Sequence, residues 1–238
     1  KKYKTKIEKY CLITSSRSLT YNFLEKKKME KIVYPIAKSI KDLEEKYKNC
    51  ILCSMGYKRK QRNCSVVFGR GNKLSTSIVF IGEAPGVQEE RDLIPFNPLA
   101  PAGGILEKVL NISGIGSDNV YITNSILCRP EPEEGEAGQN GKPSAESIKI
   151  CNGRLKNELA ILRPKIVGLL GSYAYKAFFG KDIDQITKNL GWAEQQGDIK
   201  PYVLLHPSYI ARQLSFAQKD EEKIKSILLD HDFAQERV

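Results

Sequence analysis

The stretch Ser77–Gly86 constrains the fold most strongly. A β-branched and aromatic run, Ser77-Ile78-Val79-Phe80-Ile81, stops at Gly82-Glu83-Ala84-Pro85-Gly86. This pattern predicts a buried strand entering a glycine- and proline-bracketed loop with a carboxylate at its tip. Two further runs end in comparable loops. Asn119-Val120-Tyr121-Ile122-Thr123 ends at Asn124, and Tyr202-Val203-Leu204-Leu205 ends at His206-Pro207-Ser208. If the three strands are parallel neighbours, a carboxylate, an amide and an imidazole converge on one cleft, where open α/β sheets bind ligands.

Between these strands the apolar spacing is helical. Ile36, Ile40, Leu43 and Tyr47 predict a helix over 35–48, and Leu106, Val109 and Leu110 predict one beginning near Gly104. Ser144 reads as an N-cap for a helix carrying Ile148, Leu155, Leu159 and Ile161. Lys165–Leu170 reads as a further strand, Tyr173–Phe179 as a short helix, 185–201 as an irregular or hairpin segment, and 217–229 as a closing helix. Residues 54–76 read as a basic loop, 87–100 as irregular, and 131–141 as a mobile acidic surface insertion. Strands alternating with helices give an α/β sandwich with a mainly parallel sheet. Residues 1–33 form a Lys-rich extension with interleaved aromatics, and 34–238 the main domain.

Charge and cysteine content narrow the functional classes. Lys plus Arg outnumber Asp plus Glu by 38 to 28, a net charge of +10 that favours a polyanionic partner such as nucleic acid. No apolar run reaches the roughly 18 residues of a membrane span, and no leader-like segment opens the sequence, so a cytoplasmic location is expected. Of the 2 histidines, the strand-end His206 is the candidate for chemistry. Cys50 and Cys53 form a Cys-x-x-Cys pair that can grip a metal centre from one turn. Cys128, Cys151, Cys64 and Cys11 compete for the remaining ligand places. A redox dithiol and unrelated buried thiols are the other readings of the pair.

The ordered set of motifs resembles the family 4 uracil-DNA glycosylases, the iron–sulfur branch of the uracil-DNA glycosylase superfamily. It comprises Val67-Phe68-Gly69, Gly82-Glu83-Ala84-Pro85-Gly86, Pro95-Phe96, Ile122-Thr123-Asn124, Cys128-Arg129-Pro130 and His206-Pro207-Ser208, with Arg212 four residues on. The resemblance covers about residues 35–229. It implies a three-layer α/β/α sandwich around a four-stranded parallel sheet, and a structural [4Fe–4S] cluster on Cys50, Cys53, Cys128 and Cys151. It also implies that Phe96 stacks on a flipped base, Asn124 reads the base edge, and His206 donates to the carbonyl oxygen of the leaving base. Glu83 becomes the leading carboxylate for the oxocarbenium-like sugar or the attacking water. Ala84, Gly86 and Glu89 would line the base pocket, and Ser208 and Arg212 would lie on the loop that enters DNA.

Each residue has a plainer alternative: a core Phe96, a turn-forming Asn124, a strand-end His206, a helix-capping Glu83. The chain also departs from the family pattern. Asn97-Pro98-Leu99-Ala100 lengthens the step to Pro101-Ala102-Gly103, and Ala84 stands where other branches carry Asp or Asn. The expected activity is hydrolysis of the N-glycosidic bond of uracil in DNA by a monomer, leaving an abasic site. The alternatives are the same chemistry on a modified pyrimidine of phage DNA, a non-catalytic DNA-binding module, and a redox protein using Cys50 and Cys53.

Overall fold

The computed structural model describes residues 36–74, 76–133, 135 and 138–216. The Lys-rich extension, Cys11 and the helix expected over 217–229 lie outside the described residues.

Four parallel strands form the centre: β2 (Ile78–Gly82), β3 (Tyr121–Asn124), β4 (Ile166–Leu170) and β6 (Lys200–Leu204). Two-residue strands β1 (Arg70–Gly71) and β5 (Gly191–Trp192) pair antiparallel on the edges, giving the order β1-β3-β2-β4-β6-β5. The parallel core is the sheet expected from the sequence. The β5–β6 pairing is the hairpin expected near Gly191, whereas β1 is too short to carry a strand pattern.

Alternate side chains of each central strand enter different layers, as a pleated strand requires. Val79, Ile81, Tyr121, Val167 and Leu169 pack in one cluster with Leu155 and Leu159. Phe80, Ile122 and Leu170 pack in another with Leu106 and Leu110. Both faces of the sheet are thus covered by helices. Burying an aliphatic or aromatic side chain contributes roughly 1.5–3 kcal/mol. A one-residue slip of β2 would exchange Phe80 with the smaller Val79 and Ile81, so packing fixes the register that aligns the strand ends.

On the first face lie α1 (Ile40–Tyr47), α5 (Ala145–Leu162) and α6 (Ser172–Phe179). Ser144 caps α5, its hydroxyl accepting from the Ser147 N–H at 3.1 Å, as its sequence predicts. On the other face α4 (Pro101–Ile112) packs against α7 (Pro207–Phe216). Helix α4 starts three residues before the expected Gly104, because Pro101 fits a first turn that needs no N–H.

Two segments expected to lack structure contain short helices: α2 (Ser54–Gln61) and α3 (Val87–Asp92). Neither has an apolar stripe. Cys53 starts α2, its sulfur accepting from the Gly56 N–H at 3.5 Å, and Gly86 starts α3. The acidic insertion is anchored rather than free at its ends. Gly141 N–H donates to the Pro130 carbonyl at 3.0 Å, Arg129 donates to the Gln139 carbonyl at 3.0 Å, and Val87 N–H donates to Asn140 Oδ1 at 3.1 Å.

Candidate active site

The parallel register places Gly82 opposite Asn124 at the carboxyl ends of β2 and β3. A Cβ on Gly82 would stand 2.4 Å from both Asn124 Oδ1 and Phe96 Cε2, so only glycine admits the two side chains there. The Phe96 ring in turn lies 5.6 Å, centroid to centroid, from the His206 ring beyond β6. Gly171, after β4, has φ +91° and leaves the space that His206 Cβ occupies; an added Cβ would come within 3.0 Å of it. Asn124, Phe96 and His206 therefore meet across the carboxyl edge of the sheet. The amide and the imidazole of the expected convergence are brought together, with the aromatic residue between them.

Two polar groups in this cluster lack partners among the described residues. Both side-chain atoms of Asn124 are buried and unbonded, although the residue is only 1% exposed. The same holds for His206 Nε2. An unpaired buried amide is costly, and such groups are kept where water, an ion or a ligand satisfies them. His206 Nδ1 accepts from the Ser208 N–H at 3.2 Å and lies 2.8 Å from Ser208 Oγ. That assignment leaves the proton on Nε2. Burial, aided by the Arg212 charge, pulls the His206 pKa down to about 4, so the ring is a neutral donor at neutral pH.

Glu83 follows Gly82 directly and is half-buried. Burial pushes its pKa up to about 7, against the opposing charges of Arg212 and Lys142. A carboxyl balanced near neutrality beside a cleft is a frequent mark of acid–base work. Ser208 bridges the site, since Arg212 also reaches its hydroxyl, at 3.4 Å. Ala84 packs against the core.

The segment carrying Phe96 is held by charged groups. Phe96 has φ +48°, an uncommon conformation for a bulky residue that its surroundings must enforce. Its N–H donates to one Glu89 oxygen, while the other accepts from the Gly86 N–H at 2.5 Å. Both Glu89 oxygens thus serve the backbone of the pocket. Arg70 grips the other side, donating to the carbonyls of Pro95 at 2.9 Å and Phe96 at 3.1 Å while paired with Glu107.

Sequence reasoning missed several supports. Arg70 sat within an apparently featureless basic loop. Glu90 receives Arg62 and Arg129, both at 2.7 Å, and ties α3 to the segment after Cys128. Arg154 and Glu158 form a fully buried ion pair on α5. Their signal was present: two charges lie among Ile148, Leu155 and Leu159 on the face that helical spacing marks as apolar.

The four cysteines named by the resemblance share one neighbourhood. Cys50, Cys128 and Cys151 each feel the charge of Cys53, Cys151 also feels Cys50, and Cys128 feels Cys151. Burial raises all three thiols, Cys128 to about 12 and Cys151 to about 11. Each of the four sulfurs also has a hydrogen-bonding partner: the Leu52 backbone for Cys50, Gly56 for Cys53, Arg59 for Cys128 and the Leu127 backbone for Cys151. Buried Arg59 also donates to the Cys50 and Cys64 carbonyls. Cys64 stands apart, its thiol turned to the Arg62 carbonyl. Among the described residues no three His, Cys, Asp or Glu side chains stand close enough to hold one metal ion. A four-iron cluster offers each thiolate a separate iron, so its sulfurs stand farther apart than those around one zinc. The chemistry of the donor set, neighbouring thiols with hydrogen-bond donors and the buried Arg59 guanidinium beside them, is compatible with such a cluster.

The sequence profile of the uracil DNA glycosylase superfamily matches residues 68–229. The type-4 uracil-DNA glycosylase of Thermotoga maritima is 33% identical over 195 residues, covering 78% of this chain and 93% of the relative. That of Sulfurisphaera tokodaii is 28% identical over 202 residues, covering 80% and 86%. That of Archaeoglobus fulgidus is 28% identical over 196 residues, covering 79% and 92%.

Proposed function

This chain belongs to the uracil-DNA glycosylase superfamily and is a DNA glycosylase, and we propose that it releases uracil from DNA. The observation that supports this most is the pair of unsatisfied buried groups, the Asn124 amide and His206 Nε2–H, gathered beside Phe96. A flipped uracil supplies what each lacks. Its N3–H and O4 match the acceptor and donor of the amide, its O2 accepts from His206, and its ring face stacks on Phe96. The retained reading apparatus argues against a catalytically silent binding module. No observation favours a modified pyrimidine over uracil, and the type-4 relatives are named for uracil.

In the reaction the C1′–N1 bond breaks and its electron pair moves onto the base. Charge grows on O2, where the His206 donor strengthens with bond breaking and so lowers the barrier. Ionised Glu83 stabilises the cationic sugar and accepts the proton that water gives up as its oxygen bonds to C1′. The uracil anion takes up a proton after release. Glu89 lines the pocket through its two backbone contacts, keeping Gly86 and Phe96 in place. Gly86 and Ala84 form the adjoining wall. Ser208 and Arg212 serve the DNA backbone while Ser208 fixes the imidazole tautomer.

Cys50, Cys53, Cys128 and Cys151 would hold a [4Fe–4S] cluster. Bound there, it supplies a structural cross-link between the segments bearing the pocket, with no redox step in the reaction. The catalytic unit is assigned to 34–238, and residues 1–33 to an added basic extension, either a DNA-contacting arm or a solvated tail. Among the described residues no helix is long and apolar enough to cross a membrane.

The test is single-turnover excision from an oligonucleotide carrying one deoxyuridine. Free uracil and an abasic strand are expected. Cluster-loaded protein that binds the oligonucleotide but releases no base would overturn the proposal.

A further inference from the structure

The end of β3 that presents Asn124 is not held by the sheet alone. Arg154 Nη2 donates to the backbone carbonyls of Asn124, at 2.7 Å, and Ser125, at 2.8 Å. Strand pairing ends at this point, so these carbonyls are no longer ladder groups. The guanidinium is 1% exposed, and Glu158, one helical turn on, neutralises it. Glu158 also accepts from Tyr121 Oη at 2.8 Å and Thr123 Oγ1 at 3.2 Å, both on β3. Helix α5 therefore grips β3 through a buried polar network in an otherwise apolar interface.

The same helix carries Cys151. Positions 151, 154 and 158 are separated by three and then four residues and share one face of α5. A centre held by Cys151 would fix the position of this helical face. The face in turn fixes the carbonyls on either side of the Asn124–Ser125 peptide. The Asn124 side chain has no hydrogen bond of its own, so its aim depends on that backbone.

We propose that Arg154 is a positioning residue for base recognition, transmitting the placement of the Cys151-bearing helix to Asn124. Because this rests on Asn124 reading the base, the experiment tests both together. Single-turnover excision is measured at saturating enzyme for wild type, Asn124→Ala, Arg154→Met, Arg154→Lys and the double variant Arg154→Met/Asn124→Ala. Iron content and melting temperature are recorded for each.

Loss of a supporting contact of this kind typically costs about 10–100-fold in activity. Arg154→Met should lose that much rate per folded, iron-loaded molecule, and Arg154→Lys should recover part of it. In the Asn124→Ala background the same change should cost less than about twofold, because residues acting through one group are not additive. An equal loss in both backgrounds, or wild-type excision by folded Arg154→Met, overturns the inference. If Arg154→Met does not fold, Arg154→Lys decides. It keeps a charge for Glu158 but supplies a single ammonium in place of the guanidinium fork, so a wild-type rate overturns the inference. Failure of the wild type to release uracil defeats the underlying reading. A normal wild type with a damaged Asn124→Ala and a silent Arg154→Met defeats this inference alone.

Discussion

At the residue scale His206 and Glu83 both feel the Arg212 charge, and their ionisation behaviour is moved in opposite directions. Burial disfavours the charged form of each, so the imidazole stays neutral and the carboxyl holds its proton longer. If the ionised carboxylate is the active form, single-turnover rate should rise through pH about 7 and level off above it. Glu83→Gln should abolish that limb and slow the reaction at high pH. A limb that survives Glu83→Gln would assign the titration elsewhere. Stability has the opposite sign for this group. The folded pKa lies above the usual 4.5, so its contribution is full below 4.5 and is lost as pH rises toward 7. His206 contributes stability above its usual 6.5 that is lost as pH falls toward 4.

His206→Ala should cut the excision rate on the order of 100-fold with little change in DNA affinity. A purely structural histidine would instead lower the melting temperature and leave the rate per folded molecule intact. The places of Glu83, Asn124 and His206 were legible in the sequence because each stands at or just beyond the end of a strand-like run, and strand ends in such sheets are where sites form. Phe96 was legible through resemblance alone. Its left-handed backbone and buried ring follow from contacts with Glu89 and Arg70, which lie at separations that no local pattern encodes.

At the element scale the segment between α3 and α4 is a short arch whose geometry is imposed from outside. It runs from Leu93, also left-handed, to Ala100, and contains the lengthened step after Phe96. Asn97 stabilises it locally, donating to Asp92 at 2.8 Å and accepting from the Leu99 N–H at 3.0 Å. The ion pair Arg70–Glu107 links β1 with α4 beneath the arch. Arg70→Ala removes two donors from the carbonyls flanking the strained residue. It should lower base affinity and rate together, roughly tenfold or more, by analogy with other supporting contacts. Glu107→Gln keeps the donors in place and should be milder. The comparison is of half-saturation and maximal rate, and equal effects would mean that the arch holds itself. Helices α2 and α3 escaped sequence reading for the same reason as the arch. Each is a turn or two long, and its placement comes from caps and ion pairs rather than from an apolar stripe.

At the scale of the whole molecule the formal charge of +10 and the proposed cluster make separate predictions. DNA affinity should fall steeply with salt, since each phosphate neutralised contributes a slope of about −0.9 in a logarithmic plot. Removing residues 1–33 should flatten that slope and leave saturated single-turnover excision nearly unchanged. An unaltered slope would show that the Lys-rich arm makes no contact with the phosphates.

The cluster prediction rests on chain connectivity. Cys50 and Cys53 precede β1, Cys128 follows β3, and Cys151 lies within α5. A centre bound to all four joins three segments far apart in sequence and restricts the unfolded chain as any long-loop cross-link does. Purified protein should be brown and contain four irons per chain. Cys64→Ala should retain them, because that thiol faces the Arg62 carbonyl. Cys151→Ala should lose iron and melt at lower temperature. Its residual folded fraction should excise poorly, because β3 and α5 would no longer share an anchor. One zinc per chain without iron or sulfide would replace the cluster with a different centre. Iron retained in Cys151→Ala but lost in Cys64→Ala would exchange the two ligands, and would separate the metal from the helix that holds Asn124.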